Sequence, residues 1–384
     1  HVDSIAVRGL TVTKDRVILR ELKHFLGRPV TPGLIDEVRA SLDRLGFVRF
    51  AADPAIEYSG RVSSLVVRLS EGSRGFFDGA VGYQPSGTGS GGEIVGKADL
   101  SALNLFGTGR SARLRWENLG RDTEDMEFRW EEPWAFNLPV DLSGSFAQER
   151  RDAHGFTRTL LSAAGGRGIG RLHARAGIRH ERISADSLTS SGATGVEAGA
   201  SWNALNYPSN PRSGQRYAVE WSVLRKSYRF GSGGKTSLTR AELFLDQYIP
   251  TFSTQTVAVL LSYRRVDAGK GIPDPADRFW LGGASSLRGY REKIFPADRA
   301  FLASLEYRYL TGEVSRVFLF TDIGRLWNSE RTGGRNSTNV LTRIGYGFGL
   351  RLQSRAGTLG FDYGLGKGDP PGEGKLHVRL TAEF

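Results

Sequence analysis

Side chains that could do chemistry are sparse in this sequence. Its 384 residues include no cysteine, which removes thiolate nucleophiles, thiolate zinc sites and disulfides together. Six histidines (His1, His24, His154, His173, His180 and His377) are scattered, with neither His-Glu-x-x-His nor other metal spacing. The glycine-rich runs 87–92 and 165–170 lack the lysine and following helix of a phosphate loop, and read as turns. No Gly-x-Ser-x-Gly elbow occurs. The expectation is a protein that is not an enzyme, with no cofactor and no metal site. What remains is ionic: arginines and carboxylates, among them Arg288, Glu306 and Asp322.

The formal net charge is +11, from 52 basic and 41 acidic residues, and only nine of the basic residues are lysine. The charges are mixed along the chain with no Lys/Arg block, so nucleic acid is not an expected partner. Mean hydropathy is −0.32, and no apolar run approaches the ~18–20 residues of a membrane helix. A transmembrane β-barrel stays open, because half of each barrel strand faces a polar lumen. The numbering starts at His1 in mid-pattern without a signal peptide, as in a mature or truncated product.

The elements that must position these charges fall into two parts. Residues 1–74 read as strand, helix, helix, strand, strand. Ser4 to Val7 is a short strand. Lys14 to Leu26 carries apolar residues at helical spacing and stops at Gly27 and Pro29. Thr31-Pro32 starts a second helix whose stripe is Ile35, Val38, Leu42 and Leu45, ended by Gly46. Phe47 to Phe50 and Ser63 to Leu69 complete the set. From Gly75 to Phe384 a period of two takes over: Tyr217, Val219, Trp221 and Val223 alternate with Arg216, Glu220 and Ser222. Glu306 alternates with Leu305 and Tyr307, and Asp322 shares the charged parity of its strand.

Alternation alone fits either a soluble sandwich or a barrel. Three features favour the barrel. Sixteen strands can be placed between 75–84 and 374–384, many near the ~9–11 residues of a tilted membrane strand. Short turns alternate with longer links, and the segment 267–298 is far the longest, as outer loops of bacterial barrels are. Strand ends are rich in Trp, Tyr and Phe, as an interfacial girdle requires. Residues 75–384 therefore predict a 16-stranded antiparallel transmembrane β-barrel, with 267–298 as one long loop.

That loop contains Gly282-Gly283 followed by Leu287-Arg288-Gly289-Tyr290, which resembles the (Val/Ile/Leu)-Arg-Gly-(Phe/Tyr) signature of the outer-membrane insertase and translocase superfamily of BamA/TamA type. Phe320-Thr321-Asp322-Ile323-Gly324 resembles that family's Phe-x-Asp-x-Gly strand. Asn104-Leu105-Phe106-Gly107-Thr108-Gly109 resembles the turn after its second barrel strand, and Glu132-Pro133-Trp134 its fourth-strand end. The element order of residues 1–74 resembles a polypeptide-transport-associated (POTRA) domain.

The resemblance implies that the loop folds into the barrel and that Arg288 meets Glu306 and Asp322 on the inner wall. A buried guanidinium needs such carboxylates, because a bidentate pair offsets its desolvation. It also implies a lateral seam between the first and last barrel strands. Gly79, Gly82, Gly374 and the terminal Phe384 mark that seam, where glycine weakens pairing and a client strand could add by β-augmentation. The implied function is assembly or insertion of outer-membrane proteins. Its partners would be unfolded outer-membrane or secreted polypeptides, outer-membrane lipid, and periplasmic or inner-membrane accessory proteins reached through the POTRA-like part. The place would be the outer membrane of a Gram-negative bacterium, with residues 1–74 in the periplasm. A two-partner-type secretion transporter is the alternative within the family. A passive diffusion pore is the alternative outside it, and leaves the Arg-Gly-Tyr loop without a purpose.

Overall fold

The computed structural model describes residues 1–43, 45–84, 93–118, 120, 123–185, 190–207, 210–229, 234–269, 271–332, 335–354 and 357–383. Residues 1–71 form β1 (Ser4–Arg8), α1 (Asp15–Leu22), α2 (Leu34–Asp43), β2 (Val48–Ser59) and β3 (Val62–Glu71). β3 is central, parallel to β1 and antiparallel to β2. The helices form because their apolar residues fall on one face. Val17, Ile18 and Leu22 of α1 and Leu34, Val38 and Leu42 of α2 close over Leu65, Val67 and Leu69 of β3. Truncating one such leucine costs about 2–5 kcal/mol.

Three boundaries in this part differ from the sequence reading by more than two residues. The first helix stops at Leu22 and tightens into a 3-10 turn over Lys23–Phe25 before Gly27. The second starts at Leu34, whose amide donates to the Thr31 carbonyl in a turn that leads into it. β2 runs on to Ser59, past the expected Phe50, through irregularities between Phe50 and Ala55. Pro54 is tolerated there because β2 is an edge strand.

The remaining strands are β4 (Gly75–Gln84), β5 (Glu93–Leu105), β6 (Arg110–Asn118), β7 (Thr123–Glu132), β8 (Asp141–Arg151), β9 (Phe156–Ile169), β10 (Leu172–Ser184), β11 (Ser191–Asn203), β12 (Gly214–Tyr228), β13 (Lys235–Phe252), β14 (Gln255–Ala268), β15 (Phe279–Leu281), β16 (Phe295–Ala297), β17 (Arg299–Leu310), β18 (Arg316–Thr332), β19 (Arg335–Ser354), β20 (Gly357–Gly366) and β21 (Lys375–Glu383). β15 and β16 pair as a small hairpin inside the long loop. The other sixteen strands from β4 to β21 form one closed antiparallel barrel, with β21 against β4. No helix among the described residues is long and apolar enough to cross a membrane.

The partition is inverted relative to a soluble core. On β17, Leu305 is 54% exposed while its neighbour Glu306 is 5% exposed. Phe301, Tyr307 and Tyr309 face outward with Leu305, and Arg308 lies inside with Glu306. The outer face is therefore apolar and the lumen charged, as a lipid-embedded barrel requires.

Residues 1–71 dock on one end of the barrel. Glu71, the last residue of β3, accepts hydrogen bonds from the amides of Val12 (2.7 Å) and Thr13 (2.7 Å) and from the Thr11 hydroxyl (2.8 Å). The turn so held meets the β5–β6 turn. The Lys14 amide donates to the Gly107 carbonyl (2.9 Å), and buried Asn104 donates through Nδ2 to Thr13 Oγ1 (2.7 Å). Gly107 is required here, because a Cβ would collide with the Val12 carbonyl. Trp134 Nε1 donates to Glu21 of α1 (2.6 Å).

Burial pushes the Glu71 carboxyl up, but the donors from Thr13, Thr11 and Val12 overcome it and hold it at about 2. Because its folded value lies below the unfolded ~4.3, Glu71 contributes stability that is present above that pH and lost as pH falls toward about 2. Glu71→Ala is expected to cost about 1–3 kcal/mol at neutral pH and to abolish this acid dependence. Hydrogen exchange of residues 62–71 in the full chain reads both effects.

Candidate functional site

The long loop enters the barrel, and each residue of its Leu-Arg-Gly-Tyr motif meets a different part of the wall. Leu287 is fully buried against Leu302 and Leu326. It fits because β18 carries Gly324, where a Cβ would lie 2.7 Å from Leu287 Cδ1. Arg288 is 8% exposed. Its Nε and Nη2 clasp Asp322 at 2.7 Å each, Nη1 reaches Glu306 at 2.7 Å, and Nη2 also donates to Ser304 Oγ at 2.7 Å. Its backbone amide donates to Asp322 as well (3.0 Å). The guanidinium sits 3.6 Å from the centre of the Phe320 ring, a cation–π contact added to the ion pairs. Gly289, at φ +91°, lies against Leu365 of β20, where no side chain would fit. Tyr290 donates through its hydroxyl to the Ile344 carbonyl of β19 (2.9 Å) and packs edge-on against Phe295.

Phe320, Asp322 and Gly324 thus form one receiving surface on β18, with Glu306 beside it on β17. The wall opposite the motif is also cleared. Gly345 of β19 leaves room for the Arg288 carbonyl. Gly283 makes space for Glu292, whose carboxylate would overlap a Cβ there, and Gly282 makes space for the Arg291 carbonyl. Glu292 accepts the Ala284 amide (2.6 Å), and burial pushes its carboxyl up to about 7.

Several anchors escaped the sequence reading. Lys293 donates to Glu117 of β6 (2.9 Å) and to Asp125 of β7. Lys226 of β12 is buried and holds Asp274 (2.6 Å) and Asp277 (2.5 Å). Arg278 binds Asn328 (2.6 Å) and the Ser329 carbonyl (2.9 Å). A signal existed only in part: Asp125 and Glu117 have lumen parity, but nothing local ties them to a lysine 168 or 176 residues away.

The seam glycines divide. Gly79 lies in the seam, opposite Leu380, and its missing Cβ makes way for the Phe77 ring. Gly82 is not in the seam: the β4–β21 ladder ends at Val81 with Val378, and Gly82 pairs only with Val95 of β5. Gly374 precedes β21, and it makes room for Tyr363 of β20 instead of weakening the β4 pairing. Phe384 lies outside the described residues. Among the described residues the seam has six registered pairs, against ten for β4–β5 and seventeen for β18–β19, and is the shortest ladder of the barrel.

The loop crosses this seam from inside. Arg288 and Tyr290 hold β17 to β19, Glu292 lies 3.9 Å from His377 of β21, and Lys293 holds β6 and β7. Beneath the loop tip a lumenal cavity of about 320 Å³ is lined by Arg308, Arg316, Arg351, Arg379, Asp246 and Asp362 among others. It has room for water and a few side chains but not for a folded chain. Among the described residues no group of three or more His, Asp or Glu could hold a metal ion.

Arg288→Ala leaves Asp322 buried without its cation, while Glu306 keeps only Arg308, whose Nε donates to it at 2.8 Å. Breaking such a pair costs about 3–5 kcal/mol. Faster hydrogen exchange and proteolysis across 282–293 are expected, with the barrel itself still resistant to unfolding in detergent. An unchanged loop would refute the ionic anchorage.

The Omp85 superfamily domain matches residues 104–384. The outer membrane protein assembly factor BamA of Neisseria meningitidis serogroup B is 33% identical over 173 residues, covering 43% of this chain and 21% of that protein. The chain thus spans about a fifth of that relative's length. BamA from Haemophilus ducreyi lacking POTRA domains 1–3 superposes with a TM-score of 0.62 at 17% identity, over 100% of this chain and 84% of that one. CdiB from Escherichia coli superposes at 0.66 and 14% identity, over 100% and 76%. The closed sixteen-stranded barrel, its inward Leu-Arg-Gly-Tyr loop and the profile match over most of the chain place this protein in the Omp85 superfamily.

Proposed function

We propose that the protein inserts or translocates polypeptides at the outer membrane of a Gram-negative bacterium, using the β4–β21 seam as a lateral gate. Residues 1–71 would lie in the periplasm and receive unfolded outer-membrane or exported chains, or accessory proteins. No catalytic group takes part. The driving force is the client's own folding and apolar burial in lipid. One observation carries this reading: among the described residues, the shortest ladder of the barrel is the one that the inward loop spans from both sides. A strand pair with few backbone bonds exposes unpaired donors and acceptors when it parts, and an extended client strand can pair with them. A passive pore would have no use for a lumen occupied by a loop tied to the wall at Lys226, Arg288, Tyr290 and Lys293. The match to an assembly factor supports insertion over export of a single protein.

The cysteine-free chain permits a direct test. Asp78 and Thr381 face each other across the seam and share a hydrogen bond of 3.1 Å. An Asp78→Cys, Thr381→Cys double variant, oxidised in cells depleted of the native protein, is expected to stop assembly of many barrel proteins, with reductant restoring it. Full activity with the seam covalently closed would sink the gate. Loss of a single exported protein on depletion, with all others intact, would mean a dedicated transporter.

A further inference from the structure

The turns that receive residues 1–71 also carry side chains with no protein around them. Phe106 in the β5–β6 turn is 76% exposed, and Phe136 in the β7–β8 turn is 85% exposed. Leu138 is exposed beside it. Both phenylalanines have left-handed backbones, at φ +56° each, as do Asn104, Trp134 and Asn137. A bulky residue rarely adopts that conformation, and it persists only where the surroundings enforce it. The enforcement is visible. The β5–β6 turn is gripped through Asn104 and Gly107 by Thr13 and Lys14. The β7–β8 turn is closed by the Ala135 amide donating to the Val140 carbonyl (2.8 Å), by the Trp134 amide donating to Asp141 (3.1 Å), and by the Trp134 indole donating to Glu21. The fold spends strain to present apolar tips where water would otherwise meet them.

The outer wall next to these turns shows what the tips meet. Leu114, Trp116, Met126 and Phe128 face outward on β6 and β7. The same outward parity then reaches Arg110 and Glu132, which form an ion pair of 2.6 Å across the two strands. That pair marks the edge of the hydrocarbon-facing band. Phe106, Phe136 and Leu138 lie just beyond it, at the level of headgroups, where aromatic and apolar anchors reside. Lys14 and Arg16 are exposed on the segment bonded to Gly107, which suits a surface bearing phosphates.

We propose that Phe106, Phe136 and Leu138, with Lys14 and Arg16, form a lipid-binding foot. It inserts into the phospholipid headgroup layer on the side of residues 1–71. The foot fixes the tilt of that unit against the bilayer. It also anchors the β5–β7 side of the seam in the interface. This rests on the reading of the barrel as membrane-embedded.

Single cysteines replace Phe106, Phe136, Leu243 at mid-wall and Tyr58 on the exposed edge of β2, each carrying a nitroxide. The full chain is reconstituted in vesicles of phosphatidylethanolamine and phosphatidylglycerol. Collision with oxygen is compared with collision with a water-soluble nickel chelate. Labels at 106 and 136 are expected to favour oxygen several-fold over the label at 58, and less than the label at 243. Labels at 106 and 136 as chelate-accessible as 58, with 243 lipid-like, would overturn the foot alone. A chelate-accessible label at 243 would overturn the membrane reading with it.

Discussion

A closed sheet whose outer face is hydrocarbon leaves its charged side chains one place to go. The lumen must hold them, and every charge withdrawn from bulk water there needs an opposite charge or it destabilises the fold. This constraint organises the interior. Glu181 is fully buried and is shared by Arg158, Arg179 and Arg240. Arg151 is met by Asp125 and Glu149, and Arg351 is clasped by Asp362 at 2.8 and 2.7 Å. A loop entering such a space finds little apolar surface to pack on. It is held by ion pairs together with small dry clusters: Leu281, Leu287 and Ala297 against Ala300, Leu302 and Leu326, Phe279 against Leu224, Leu238 and Val266, and Ala276 against Phe156 and Ile183.

The glycines follow from the same geometry. On β19 they recur at every second position, at 345, 347 and 349, alternating with Tyr346 and Phe348, which face outward. Those inward glycines leave room for the Arg288 carbonyl, the Phe320 ring and the Phe318 ring respectively. Glycine in this barrel is less a weakness of pairing than a way to clear volume for a loop backbone and for aromatic rings inside a crowded lumen.

That distinction also explains what could be read from the sequence. Strand parity is local information, so the sixteen strands, the inward set of Glu306 and Asp322, and the long loop were legible from alternation and turn residues. The Leu287–Tyr290 motif was legible through its family pattern. The start of the edge strand β2 was legible too, but not its run from Phe50 to Ser59, because its bulges near Phe50 and Ala52 break the period. Gly82 and Gly374 were misassigned to the seam because glycine content says nothing about where a ladder begins. The partners of Lys226 and Lys293 depend on where a 30-residue loop folds back, and periodicity carries no record of that. Nor could the docking of Glu21 on Trp134 be inferred, since it joins residues 113 positions apart.

The pattern of anchors limits how the seam can move. Residues 1–71 hold the ends of β5 and β7 through Asn104, Gly107 and Trp134, while Lys293 holds β6 and β7 from within. Arg288, Gly289 and Tyr290 hold β17 to β20. The wall on either side of the seam is therefore two braced bodies joined by the short loop segment between Tyr290 and Lys293. Peeling β21 alone from β4 would break six pairs of a short ladder and leave the braces intact. Swinging the two bodies apart must instead release Lys293 from Glu117 and Asp125, or draw the loop after it. The charge on Lys293 thus couples seam width to loop position. A swing of the two bodies large enough to admit a client strand passes through that ionic contact, by which Lys293 joins the loop to β6 and β7.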